Sequence, residues 1–257
     1  MRLIRPAVLA LLAVVVGACG GPAATVLNTT TTTMVRPASS PLFTVLPVVP
    51  CPTSYGVASS SQPYIPNQLP ATGSVRGLSF YSNGSLTVLA PQGWVCGALD
   101  AADGGQVLDA YPPGHPDYAT QLAPAGSELV QLDVDYTGHG PGAMLICPLF
   151  PGSPAVTFLQ GARPCATLPS AETTSDVTKD IVAFRDPPGV KGTGAGSGGA
   201  LESSGDAVYP RVGTEDPPGG VTVAVLSCTL PSGMTDLCSA VESDFLVRNA
   251  PRYTGTG

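Results

Sequence analysis

Two histidines, His115 in PPGHPDY and His139 in YTGHGPG, are the side chains of this sequence that ordinarily titrate near neutrality. A Ser-His-Asp triad needs an imidazole as its base, so a hydrolase built on this chain would have to use one of them. Both sit among turn-forming glycines and prolines, and no G-x-S-x-G elbow supplies the strained serine of an α/β-hydrolase. Asp133 and Asp135 could offer calcium oxygens from one strand face, with Asp100 or Asp103 from a turn. A solvated polar strand face explains the same spacing. The glycine run at 192–199 follows Asp186-Pro187-Pro188 and lacks the G-K-[ST] ending of a phosphate loop, and no helix follows it as a dinucleotide fingerprint requires. No catalytic residue, metal site or cofactor is assigned on this basis, and a non-enzyme is the favoured reading.

Seven cysteines divide into one and six. Cys51, Cys96, Cys147, Cys165, Cys228 and Cys238 form an even set without any C-x-x-C. A structural zinc site draws four closely spaced cysteine or histidine ligands, which this set does not offer. It suits a disulfide framework in an oxidising compartment instead. Fifteen pairings are possible. The local set is expected: Cys228 with Cys238, Cys147 with Cys165, and Cys51 with Cys96. In the chain-entropy account a loop of about ten residues stabilises by roughly 2.5 to 3 kcal/mol.

The seventh, Cys19, follows Arg2, Arg5 and an uncharged apolar stretch from Pro6 to Val16. That stretch is shorter than the about 20 residues a transmembrane helix needs and has the flanks of a secretory signal. Val16, Gly17, Ala18 and Cys19 resemble the lipobox of bacterial lipoprotein precursors. The resemblance implies diacylglyceryl attachment at Cys19, cleavage after Ala18, and fatty acylation of the palmitate type. The protein would then be held on the extracytoplasmic face of the cell membrane by its lipid. An ordinary signal peptide with an incidental cysteine is the plainer alternative. One acyl chain anchors weakly, at about 0.8 kcal/mol per buried CH₂, whereas two or three anchor stably.

The formal charge of the chain is −7, and removal of residues 1–18 takes away Arg2 and Arg5 besides. Such a chain has no electrostatic reason to seek nucleic acid, whose binding rests on lysine and arginine at phosphates. Only 11% of residues are charged, against 31 glycines and 28 prolines. That balance favours short strands and many turns over a helical bundle. No second long apolar run follows the signal, so no transmembrane helix is expected.

Residues 19–50 read as a lipidated, Thr/Pro-rich tether, with Thr29 to Thr33 followed by Pro37, Pro41, Pro47 and Pro50. Leu42 to Val49 is apolar enough to dock on the domain instead. The globular part is placed at 51–257. Within Leu78–Leu89, Asn83 and Gly84 suit a two-residue type I′ turn between strands. The following stretch is similar to uncharacterised exported actinobacterial proteins with an A-P-x-G-W-x-C motif. It is carried here by Ala90, Pro91, Gly93, Trp94 and Cys96, then Gly104, Gly105, Pro112, Pro113 and Gly114. The resemblance transfers no activity. Trp94 could stack on a ligand, but core packing is the commoner role beside a half-cystine.

Glu128–Tyr136 alternates, with Val130, Leu132, Val134 and Tyr136 on one side and Gln131, Asp133 and Asp135 on the other, as in a half-buried strand. Further strands are expected at 143–147, 155–159, 178–184 and 221–227. Residues 186–206 read as an exposed flexible loop by composition. A helix is expected over 235–249, capped by Thr235, with Cys238, Val241 and Phe245 on one face and an end at Arg248 and Asn249 before Pro251. The expected fold is thus mainly β (α+β), a single disulfide-stapled antiparallel β-rich domain with one C-terminal α-helix. The expected role is non-catalytic, either binding a ligand or partner or shaping the envelope. An exported hydrolase using His115 or His139 is the alternative.

Overall fold

The fold comes from a computed structural model that describes residues 44–55, 64–71, 75–102, 104–135, 147–151, 165–209 and 223–254. In chain order the described strands are β1 (Thr44–Pro50), β2 (Thr53–Tyr55), β3 (Gln68–Ala71), β4 (Leu78–Ser82), β5 (Thr87–Pro91) and β6 (Val95–Asp100). They continue with β7 (Gly105–Tyr111), β8 (Leu129–Asp135), β9 (Thr173–Thr178), β10 (Ile181–Asp186), β11 (Glu202–Val208) and β12 (Val223–Leu230). Helix α1 (Thr235–Thr254) follows. The strands build a small sheet in the order β3-β1-β4-β5 and a large one in the order β2-β6-β7-β8-β12-β11-β10-β9. The protein is mainly β with a C-terminal helix. Among the described residues no helix is long and apolar enough to cross a membrane.

Alternation decides which face of the large sheet meets what. Ala98, Leu108, Ala110, Val130, Leu132, Val134, Ala224, Leu226 and Val208 face the small sheet and α1, joining Phe80, Tyr81, Leu89, Val241 and Phe245 in one core. β12 lies between β8 and β11 and is buried at all eight positions, so its run VAVLSCTL carries side chains buried on both faces. β9 is the opposite case, an edge strand exposed at every residue and composed of Thr, Ser, Asp and Val. Polar side chains along an edge discourage unwanted strand pairing.

The six cysteines pair as Cys51–Cys96, Cys147–Cys165 and Cys228–Cys238, with Cα separations of 5.2, 5.5 and 5.6 Å. The first joins the end of β1 to β6, and hence the small sheet to the large. The third ties β12 to the first turn of α1. Arg248 pins the far part of the helix: its guanidinium donates to Asp244 at 2.7 Å, lies 4.3 Å from the Phe80 ring centroid, and donates to the Pro70 carbonyl. Trp94 is half-buried against this core. Its amide donates to the Tyr81 hydroxyl at 3.0 Å, and that hydroxyl donates to the Pro91 carbonyl at 2.7 Å.

Several elements depart from expectation. β1 belongs to the sheet rather than the tether, because Leu46 is buried and Val48 and Val49 pack on the core. Two pairings, β1 with β4 and β2 with β6, are parallel, where the chain crosses from one sheet to the other at Cys51. The β4–β5 connection takes four residues, not two. Asn83 Oδ1 accepts the N–H groups of Ser85 and Leu86 at 3.0 and 2.8 Å, and Gly84 alone takes a positive φ, of 91°. That side-chain-capped loop satisfies more of its own main chain than a type I′ turn would.

The strand expected at 178–184 is the hairpin β9–β10, turned at Lys179-Asp180. The segment expected as a flexible loop at 186–206 contributes residues 202–206 to β11, and its remainder folds onto the sheet with Gly194, Gly196 and Ser197 buried. Thr235 does not cap: a 3-10 turn, Ser232–Met234, precedes it, and its hydroxyl donates back to the Ser232 carbonyl at 3.2 Å. The helix also runs through Pro251, at which only one main-chain donor is lost. The strand expected at 155–159 and most of that at 143–147 lie outside the described residues, as do Cys19, Asp103, Tyr136 and His139.

Candidate functional site

The face of the large sheet turned away from the small sheet carries polar groups in register. Gly97 on β6 pairs with Asp109 on β7, Asp109 with Gln131 on β8, and Gln131 with Ser227 on β12. After β7 the chain turns at Pro113-Gly114, where Gly114 has a φ of 92°, and returns over this face. Asp117 lands directly above Gly97, whose missing side chain leaves the space: a methyl there would overlap the Asp117 carboxylate. Asp117 Oδ1 accepts the Ala119 N–H at 3.1 Å and the Tyr111 hydroxyl at 3.4 Å. The carboxylate therefore fixes both its own turn and the ring at the end of β7.

Tyr111 and Tyr118 are buried with ring centroids 4.9 Å apart and an interplanar angle of 47°. With Leu129 they form a small apolar cluster that Ala123 and Ala195 abut. The His115 ring is exposed and lies 5.9 Å from that of Tyr118. Its Nδ1 and the Tyr118 hydroxyl share a hydrogen bond of 2.9 Å, with the donor set by the imidazole tautomer. Beside them runs a groove of about 350 Å³ lined by Pro112, His115, Tyr118, Pro124, Ala125, Gly126, Ser127 and Glu128. Leu122, in the same turn, is 99% exposed.

Beneath the surface the electrostatics are unusual. Asp109 is wholly buried, and neither carboxylate oxygen has a hydrogen bond of normal geometry. Burial pushes its carboxyl up to about 7; the nearby Gln131 amide opposes this, and the charges of Asp117 and Asp133 add to it. The Tyr111 phenol is pushed up to about 12, by burial first and by the Asp117 carboxylate next. Asp109 is held under Asp117 and the sheet, so a bulky substrate cannot touch it, and a general acid must reach the group it protonates. What a solute can meet is an imidazole, a phenol edge, two prolines and the 124–128 segment with its half-buried Glu128. Such a surface offers flat apolar contact with a few hydrogen bonds at fixed positions.

Of the residues singled out from sequence, His115 enters this site and His139 lies outside the described residues. The acids weighed for calcium fall only in part among the described residues. Asp133 is half-buried on the same face, Asp100 ends β6, and the Asp135 side chain and Asp103 are not described. Among the described residues no three of His, Cys, Asp and Glu converge as a ligand set. Sequence reading missed Asp109, Asp117, Tyr111 and Tyr118. The glycine at 97 in an otherwise apolar strand was the available signal, since an isolated strand glycine marks close approach of another group. Compared with protein-family models, curated proteins and solved structures, the chain matches none.

Proposed function

We propose that this protein is a lipid-anchored extracytoplasmic binding protein that holds an envelope ligand or partner without transforming it. The lipobox-like VGAC ending at Cys19 supports the anchor. Three disulfide bridges support an oxidising compartment. The observation that carries the binding reading is the groove beside His115 and Tyr118. Its imidazole is engaged by a phenol at 2.9 Å, and its walls include Pro112, Tyr118, Pro124 and Glu128. These are groups for stacking and hydrogen bonding to a sugar ring or an extended peptide.

The test uses the whole purified protein and two probe sets, soluble cell-wall glycan fragments and short peptides, with binding and turnover both recorded. Binding by one set without turnover, lost in Tyr118→Ala, is the expected result. Turnover that disappears in His115→Ala would assign the hydrolase instead. The anchor is tested separately by palmitate labelling in an expressing bacterium. Label should be present in the wild type and absent in Cys19→Ala.

A further inference from the structure

A second pair of acids lies across the same sheet face, at the far end from the groove. Asp186 ends β10, and Glu172 immediately precedes β9; Arg185 and Thr173, their neighbours, are in register. Asp186 is wholly buried and Glu172 is 8% exposed. Each carboxylate is satisfied on one side only. Asp186 Oδ2 accepts the Gly194 N–H at 2.7 Å, and Glu172 Oε1 accepts the Thr193 hydroxyl at 2.6 Å.

Asp186 Oδ1 and Glu172 Oε2 are reached by no N–H or O–H donor of the surrounding protein, and the two carboxyl groups lie within hydrogen-bonding reach of each other when one carries a proton. These two oxygens converge on one spot beside Gly192, where a methyl would overlap Oδ1 and lie 2.6 Å from Oε2. The ion pairs among the described residues, Lys179–Asp180, Arg185–Glu202 and Arg248–Asp244, involve neither acid. Two buried anions facing one another without a countercharge are unfavourable, so such a pair must share a proton or take up a cation. Burial first, then the charge of Glu172 and a hydrogen bond to it, push the Asp186 carboxyl up to about 6, against the opposing Gly194 and Thr193 N–H groups.

We propose that Asp186 and Glu172 hold a calcium ion under the 187–201 loop, with Oδ1 and Oε2 as its charged ligands and loop carbonyls and water as the rest. The two negative charges match a divalent ion. An all-oxygen donor set in an irregular loop suits calcium better than zinc, which takes nitrogen and sulfur, or magnesium, which demands near-octahedral geometry and keeps its waters. The site stands independently of the groove and of the anchor. Its effect would still reach the groove wall, because Gly196 of the same loop accepts the Gly126 N–H at 2.7 Å.

The experiment titrates calcium chloride into the whole protein after chelator treatment, by calorimetry, with thermal unfolding as a second readout. The expected result is one site with a Kd of about 10⁻⁴ to 10⁻³ M, as in extracellular modules of low ligand charge. The melting temperature should rise with calcium concentration. Asp186→Asn can donate an amide hydrogen to Glu172 and so keep the loop folded, and it should bind at least about tenfold more weakly. Glu172→Gln should do the same. Gly192→Ala should fill the cradle and lose binding with both carboxylates intact. The proposal is overturned if the wild type shows neither heat nor stabilisation at millimolar calcium. Undiminished binding in Asp186→Asn and Glu172→Gln, or a single proton taken up by the pair regardless of calcium, overturns it equally.

Discussion

Replacing Asp109 by asparagine should make the protein more stable at pH 8 and leave it nearly unchanged at pH 4. The carboxyl is pushed up to about 7 in the folded chain, with burial as the main cause, against about 3.9 in an unfolded one. A folded value above the unfolded one means that the native state binds the extra proton. Its contribution to stability is therefore fully present below about pH 4, is lost as pH rises through about 7, and is constant above that. The difference amounts to about 4 kcal/mol at high pH.

An asparagine keeps the shape, removes the charge and offers N–H donors toward Asp117 and Asp133, which would otherwise repel it. For a domain of this size, each kcal/mol moves the midpoint by about 2 to 4 °C. The gain at pH 8 should accordingly be on the order of 10 °C, shrinking to near zero at pH 4. Calorimetric melts of wild type and variant at pH 4, 6 and 8, with disulfides oxidised, read this directly. A variant equally or less stable at pH 8 would refute the reasoning, since Asp109 would then be paired in some way its buried oxygens do not display.

Two other perturbations follow from the same structure. Gly205→Ala should destabilise by about 1 to 3 kcal/mol, as overpacking in a filled core does; the new methyl would overlap the Leu226 carbonyl and sit 2.7 Å from the Phe184 ring, and a melt at any one pH measures it. Replacing Cys228 and Cys238 together by alanine should cost roughly 2.5 to 3 kcal/mol for a ten-residue separation, read as a lower denaturant midpoint, whereas no loss would mean that α1 is held by Val241, Phe245 and Arg248 alone.

The legible parts of the fold were those in which a short-range pattern coincides with the final packing. VQLDV could be read as a strand because β8 has an apolar side against the core and a polar side against Asp109 and its neighbours. Cys238, Val241 and Phe245 pointed to a helix face, and that face is buried. The misread loop shows why composition alone misleads. GVKGTGAGSGGA has the composition of a linker, yet its glycines are there because other groups come close: Gly194 meets Ser203, Gly196 meets Leu129 and Gly199 meets Gly126. Composition reports freedom in an isolated chain and says nothing of partners such as Gly126 and Leu129, which lie far off in the sequence. Asp109 was hidden for a related reason. In GQVLDAY it reads as one more polar position on a solvated strand face, and only the return of 112–128 over that face buries it.

That return, and the fold-back of 187–201, make the two faces of the large sheet differ in what covers them. One face is an ordinary apolar core, fixed by two bridges and a helix. The other carries a second apolar cluster, with Val182, Phe184, Ala207 and Val225 under Leu149 and Phe150, and beside it Leu129, Thr229, Ser203 and Asp186 in one row across β8, β12, β11 and β10. Main-chain segments rich in glycine lie on this row. Ala195 accepts the Thr229 hydroxyl at 2.7 Å and donates to the Ser227 hydroxyl at 3.1 Å, and its side chain abuts the Tyr111–Tyr118 cluster. The same loop therefore touches the Asp186 and Glu172 carboxyls at one end of the row and supports the groove wall at the other. Backbone laid against a rigid sheet in this way leaves few alternative positions for either end. A charge bound at Asp186 and Glu172 would consequently act on the groove by holding the loop down, through contacts already in place and without any rearrangement of the sheet.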